Sequence, residues 1–178
     1  MNSQHLNEKK SHLGVDYFEK MHIIKNRKED EVAIMLIQFN FKNFRSFREE
    51  ATLDLSATKM TEFSERVVTI GREKILPVAA IYGANASGKS NIYSAFEYMA
   101  EYVVDSFKYG DEEEKFEEYR PTPFLFDSTS ADAESSFEVY FTIPGDKNEK
   151  TYNYGFCVDQ EGVTEEGLNS KAKTARKY

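Results

Sequence analysis

The chain has 178 residues, of which 40% are hydrophobic and 14% aromatic, so it is long enough for one domain with a sizeable core. Its formal net charge of −8 argues against a surface that is basic overall, and nucleic-acid binding is not visible in the composition. No apolar run approaches the ~20 residues that cross a bilayer, and residues 1–10 do not resemble a signal peptide, so we expect a cytoplasmic protein with no membrane partner.

In chain order, residues 1–34 form a polar N-terminal extension, and residues 35–170 form the predicted folded domain. The extension could be a functional arm. Its weak helical periodicity favours either a frayed helix or an upstream translation start ahead of Met35. Residues 171–178 form a basic C-terminal end, which we expect to be truncated.

Hydrophobic alternation predicts antiparallel strands ahead of the centre of the chain. Ile37–Phe41 alternates strictly, and after the turn-like Asn43–Ser46 a second alternation runs through Ala51–Leu55. A weaker strand is predicted from Arg66 to Ile70, with a turn over Gly71–Lys74.

The centre of the chain predicts a strand followed by a loop and a helix. Val78–Tyr82 is a short apolar run typical of a strand buried on both faces. From Lys89 the chain has the pattern of a helix, because apolar residues recur every three or four positions, at Ile92, Phe96, Met99 and Val103.

Beyond this helix, the acidic run Asp111–Glu114 and the polar stretch Pro121–Asp132 predict a solvated surface excursion, although an acidic run could also repel a wrong ligand or dock a basic partner. Alternation in residues 137–143 and 152–158 predicts a hairpin, and a last strand begins near Val163. The aromatic residues that alternate along this hairpin form an aromatic ladder, which could be a base-stacking platform. Because they recur at every second position, they more often form one side of a core.

We expect no catalytic or metal-binding role for the cysteine or the histidines. Cys157 is the single cysteine, which excludes an internal disulfide, and its place in an aromatic strand favours a buried, inert thiol over a nucleophile. His5, His12 and His22 lack cysteine or carboxylate partners at metal-ligand spacing, so we expect no zinc site.

The segment Gly83–Ser90 satisfies Gly-x-x-x-x-Gly-Lys-Ser, the pattern of a phosphate-binding loop. Gly83 and Gly88 allow successive peptide N–H groups to approach phosphate oxygens closely. Lys89 would reach the β- and γ-phosphates as a cation, and the Ser90 hydroxyl would complete the coordination of Mg²⁺. The N-terminus of the following helix also favours anions, so the motif predicts binding of ATP or GTP.

Two segments have a further pattern in common with known proteins: Asn43–Phe47, with the sequence Asn-Phe-Arg-Ser-Phe, and Ile81–Asn91. Together they resemble the N-terminal part of ABC-type AAA-family ATPases of the SMC, RecF and OLD group, particularly bacterial ATP-binding proteins with anti-phage and abortive-infection functions. The resemblance covers residues 35–168. Asn85 within the loop and Asn91 directly after it are typical of that group.

The resemblance implies an α/β P-loop NTPase fold, the first lobe of an ABC/SMC-like ATPase head with antiparallel hairpins beside a strand–P-loop–helix unit. It implies ATP and Mg²⁺ as ligands, Ser90 as a metal ligand and Arg45 near the bound nucleotide. Ala86 departs from the glycine that the SMC branch often has at this position. The nucleotide-binding residues that the motif and the resemblance together imply are Gly83, Ala84, Asn85, Ala86, Ser87, Gly88, Lys89, Ser90, Asn91 and Arg45.

The family pattern is incomplete in this sequence. No apolar strand ending in Asp-Glu, no Leu-Ser-Gly-Gly-like signature and no histidine follow the loop, so no catalytic residue is identified within the chain. In such heads ATP is clamped between two subunits, which implies a second head, and thus a homodimer, in the complete protein.

The sequence therefore predicts the ATP-binding lobe of an AAA/ABC-type ATPase whose hydrolysis needs a C-terminal lobe and dimerisation. The resemblance extends to DNA-related or anti-phage defence, with nucleic acid or an effector protein as a further partner. The alternative is a non-hydrolysing nucleotide-binding module or truncated remnant. The β-patterned sequence ahead of the loop argues against a small P-loop kinase, whose loop usually follows the first strand.

Overall fold

A computed structural model describes residues 34–57, 62–109, 120–145 and 150–171. It contains seven strands, two α-helices and one 3₁₀ turn in these ranges. The elements in chain order are β1 Met35–Lys42, β2 Ala51–Asp54, the 3₁₀ turn Ser64–Arg66, β3 Val68–Ile70, β4 Glu73–Ile75, α1 Lys89–Tyr109, α2 Ser128–Ala131, β5 Ser135–Thr142, β6 Thr151–Val158 and β7 Val163–Lys171.

Five of the strands form one antiparallel sheet in the order β2-β1-β5-β6-β7, and β3 and β4 pair as a separate ribbon. The alternating aromatic residues of neighbouring strands lie opposite one another, Phe41 beside Phe137 and Phe137 beside Phe156. Because successive side chains of a strand point to opposite faces, this register collects the aromatic rings on one face of the sheet. Both predicted pairs of antiparallel strands are confirmed.

Helix α1 covers that face and completes the core. Met99 and Val103 of the predicted helical stripe are buried, and Phe96 meets Phe39 edge to face with ring centres 5.2 Å apart. The aromatic ladder of the hairpin is therefore one side of the core, and the base-stacking alternative is not supported.

The predicted strand at Val78–Tyr82 is wrong. Residues 76–84 have no strand assignment, and the side chains of Val78, Ile81 and Tyr82 are 77%, 45% and 89% exposed. A buried strand needs ladder partners and covering side chains, and no segment in the described part of the chain pairs with these residues. The phosphate loop is thus flanked by a helix but not by a paired strand.

Two further predictions differ in detail from the structure. The turn predicted over Gly71–Lys74 is confined to Gly71 and Arg72, since β4 begins at Glu73. Cys157 is half-buried rather than buried, and burial raises the pKa of its thiol. The extension up to residue 33, the three histidines, the acidic run and residues 172–178 lie outside the described residues.

The described elements form a mixed α/β fold with an antiparallel sheet. None of the helices in the described ranges has the length and apolar character needed to cross a membrane.

Candidate nucleotide-binding site

The phosphate loop, Gly83–Ser90, turns back on itself before entering α1. The Ser87 N–H donates to the Ala84 carbonyl oxygen at 3.3 Å, and the chain passes through positive φ at Ala86 (62°) and Gly88 (89°). An L-residue in this left-handed region costs about 1–2 kcal/mol relative to the right-handed conformation. This cost gives a physical reason why glycine is often found at the position of Ala86 in the SMC branch.

Lys89 brings a positive charge to the loop. Its ammonium donates to the carbonyl oxygens of Gly83 at 2.9 Å and Ala84 at 2.6 Å. A lysine ammonium has three N–H donors, so this arrangement leaves capacity for a phosphate oxygen. Helix α1 begins at the same residue and has no acidic side chain in its first turn, so no side-chain carboxylate of that turn offsets the positive end of its dipole.

The residues predicted to contact phosphate and metal are accessible. Asn85, Ser87 and Ser90 are all exposed. In the described ranges no group of three or more His, Cys, Asp or Glu side chains could hold a metal ion. Mg²⁺ is usually held by few protein oxygens together with substrate phosphates and water, so the Ser90 hydroxyl fits Mg²⁺ that is delivered with a nucleotide rather than held by a protein cage.

A second segment lies against this loop: the β1–β2 turn, Asn43–Phe47. A Cβ at position 88 would lie 2.9 Å from Ser46 Oγ and 3.1 Å from the Phe47 ring, and the backbone there has a φ of 89°, so glycine suits this position on both counts. The Asn91 side-chain amide donates to Ser46 Oγ at 2.8 Å. The two segments of the resemblance are thus in contact.

Arg45, carried over from the resemblance, is exposed in this turn. Its N–H donates to the Thr122 carbonyl oxygen at 2.8 Å, and its guanidinium lies over the Phe44 ring, 5.3 Å from the ring centre. The backbone of Arg45 is therefore anchored, and its side chain is stacked one residue away from the contact between Ser46 and the loop.

Asn43 holds the turn in place, and sequence reasoning missed this role. It is 3% exposed, its amide NH₂ group lies within hydrogen-bond distance of the carbonyl oxygens of Ser130, Ala133 and Glu134, and its Oδ1 accepts from the Phe124 N–H. Its φ of 51° lies in the left-handed region, which asparagine tolerates better than most residues. The available signal was an asparagine directly after a strand.

Fold and site together define a P-loop nucleotide-binding domain of mixed α/β type. Residues 78–178 match the family model described as "AAA domain, putative AbiEii toxin, Type IV TA system". Because the match covers more than half of the chain, the chain belongs to this AAA-domain family, and the predicted relationship to AAA-family P-loop ATPases is confirmed. The matched residues include the phosphate loop, whereas the β1–β2 turn precedes them. The search of curated proteins gave no match.

Proposed function

We propose that the chain is the ATP-binding lobe of an ABC-type AAA ATPase, and that hydrolysis requires a further C-terminal lobe and a second ATPase head. The observation that carries ATP binding is the phosphate loop itself, in which Lys89 lies beside the turned backbone at the start of a helix without acidic residues in its first turn. These are the features with which proteins bind the phosphates of a nucleotide.

Each loop residue has a distinct role in this proposal. The N–H groups between Gly83 and Lys89 bind the phosphate oxygens, and Lys89 neutralises charge on the β- and γ-phosphates. Ser90 supplies the hydroxyl oxygen for Mg²⁺, whose chemistry in such sites is to bridge and neutralise the phosphates. Arg45 provides a further cation for the nucleotide from the β1–β2 turn.

The requirement for a further lobe is supported by the exposure of Val78–Tyr82. These residues are apolar, yet the largest of their side chains face solvent. Exposed contiguous apolar surface marks a site of association, and an extended apolar segment is suited to pairing with strands. In our proposal, strands of the C-terminal lobe pair with this segment and cover it.

The requirement for a partner in hydrolysis is supported by the composition of the site. Phosphoryl transfer needs a group that orients the attacking water, in addition to a charged loop. Among the described residues, no carboxylate or histidine forms a hydrogen bond or an ion pair with the side chain of Lys89 or Ser90. The same observation favours the second candidate, a non-hydrolysing nucleotide-binding module.

The biological setting that we propose is abortive infection or toxin–antitoxin function, supported by the family description. DNA-related activity, with nucleic acid or an effector protein as partner, is the wider setting implied by the resemblance.

Titration of the purified chain with ATP by isothermal calorimetry, with and without Mg²⁺, tests the proposal. We expect binding by the parent and an affinity loss of at least about tenfold in Lys89→Ala, because a charge-assisted hydrogen bond contributes ~1.5–3 kcal/mol. Lys74→Ala, which removes an exposed lysine of β4, is the matched control and should bind as the parent does. Equal affinity of parent and Lys89→Ala would refute the assignment.

Steady-state turnover distinguishes the two candidates. The ATPase lobe should hydrolyse ATP only when it is part of a protein that contains a signature motif and an Asp-Glu strand. Absence of turnover in such an extended protein would favour the non-hydrolysing module.

A further inference from the structure

The first turn of α1 and the β1–β2 turn are joined by a side-chain hydrogen bond, 2.8 Å long, from Asn91 Nδ2 to Ser46 Oγ. Gly88 approaches the same Ser46 hydroxyl so closely that a Cβ there would lie 2.9 Å from its oxygen. Ser46 therefore lies against Gly88 and Asn91, the residues on either side of Lys89 and Ser90, which are expected to bind phosphate and metal.

The two partners of this contact differ in how firmly they are held. The β1–β2 turn is anchored in the core: Phe44 is buried, and the backbone N–H groups of Phe44 and Phe47 donate to each other's carbonyl oxygens at 2.9 Å. Phe47 packs edge to face on Phe41, with ring centres 4.9 Å apart. The phosphate loop, by contrast, is exposed along residues 83–87. The position of the loop is thus set from the turn.

Asn91 is hydrogen-bonded to both segments. Its side-chain Nδ2 donates to Ser46 Oγ, and its backbone N–H donates to the Gly88 carbonyl oxygen at 2.9 Å. Both interactions fix the backbone that surrounds Ser90. Positioning of this kind is costly to lose because binding groups must lie in the correct geometry before the ligand arrives.

We propose that Ser46 and Asn91 form a positioning pair that holds the phosphate loop against the β1–β2 turn, so that ATP affinity depends on their hydrogen bond. The effect on affinity rests on the proposed ATP binding, whereas the effect on loop order does not. Asn91, which the sequence predicts to be a nucleotide-binding residue, has an additional positioning role in this proposal.

The experiment compares Ser46→Ala, Asn91→Ala and the double variant with the parent. Hydrogen exchange of the peptide covering residues 83–92 is measured without nucleotide, and ATP affinity is measured by calorimetry. The matched controls are Ser64→Ala and Asn169→Ala, which truncate the same residue types at exposed positions of the 3₁₀ turn and β7. Ser46→Thr keeps the hydroxyl and serves as the conservative variant.

We expect faster exchange of residues 83–92 in each single variant and a loss of ATP affinity of about threefold to tenfold, the range corresponding to one hydrogen bond. The double variant should lose no more than either single variant, because both remove the same bond. The midpoint of thermal unfolding should change little, since the bond is exposed, and Ser46→Thr should recover parental exchange and affinity.

Unchanged exchange in both single variants, or losses of affinity that multiply in the double variant, would overturn the inference. If the parent itself binds no ATP, the proposed function fails, and the exchange comparison alone then decides whether the pair positions the loop.

Discussion

Asn43→Ala should strongly destabilise the β1–β2 turn. The substitution removes an amide that makes hydrogen bonds through its two N–H donors and its carbonyl oxygen, all in a residue that is 3% exposed. Each buried hydrogen bond contributes about 1 kcal/mol net, and alanine at a φ of 51° adds about 1 kcal/mol of strain. We expect the free energy of unfolding to fall by about 4 kcal/mol, a large share of the ~5–15 kcal/mol of a typical domain.

Urea unfolding, followed by circular dichroism, measures this loss. Asn43→Gly removes the same amide but suits a positive φ, so it should be more stable than Asn43→Ala by up to ~1 kcal/mol. Asn169→Ala on β7 is the control for the loss of an exposed asparagine and should change the free energy of unfolding by less than ~0.5 kcal/mol. A cost below ~1 kcal/mol for Asn43→Ala would show that the amide does not hold the turn.

The remaining predictions concern metal, pH and thiol chemistry. Ser90→Ala should weaken ATP binding more with Mg²⁺ than without it, because only the metal contact uses the hydroxyl; calorimetry showing an unchanged magnesium dependence would contradict this role. Burial, with smaller effects of Glu166 and Asp159, raises the pKa of Tyr102 to about 12. The folded state therefore favours the neutral phenol of Tyr102. This contribution to the free energy of unfolding is complete below the unfolded pKa of ~10 and is lost as the pH rises through 12. In Tyr102→Phe the free energy of unfolding should fall less steeply between these pH values than in the parent. An identical slope in both would refute the role of Tyr102. Because burial raises the pKa of Cys157, a thiol reagent at pH 8 should label the native chain more slowly than the urea-unfolded chain; equal rates would count against this.

Local patterns in the sequence were sufficient for most elements of the fold. The alternation in residues 137–143 and 152–158 and the helical stripe through Met99 and Val103 each report one buried face, and the sheet and α1 bury those faces together. The phosphate-loop motif was also evident from its spacing alone, because all of its defining residues lie in one short run of the chain.

The apolar run Val78–Tyr82 is a segment whose local pattern did not predict its structure. Its composition is that of a buried strand, but burial requires neighbouring strands, and the described residues provide none. Composition reports what a segment can form, whereas pairing depends on which other segments reach it.

The sequence by itself determined the secondary structure of the sheet and helix and the residues of the phosphate loop, because these follow from spacing within a few residues. Only the tertiary structure decided that Asn43 anchors the β1–β2 turn and that Ser46 meets Asn91 and Gly88. These contacts join residues more than 40 positions apart, and no local spacing specifies them, because they arise only when the sheet and α1 pack around their common core.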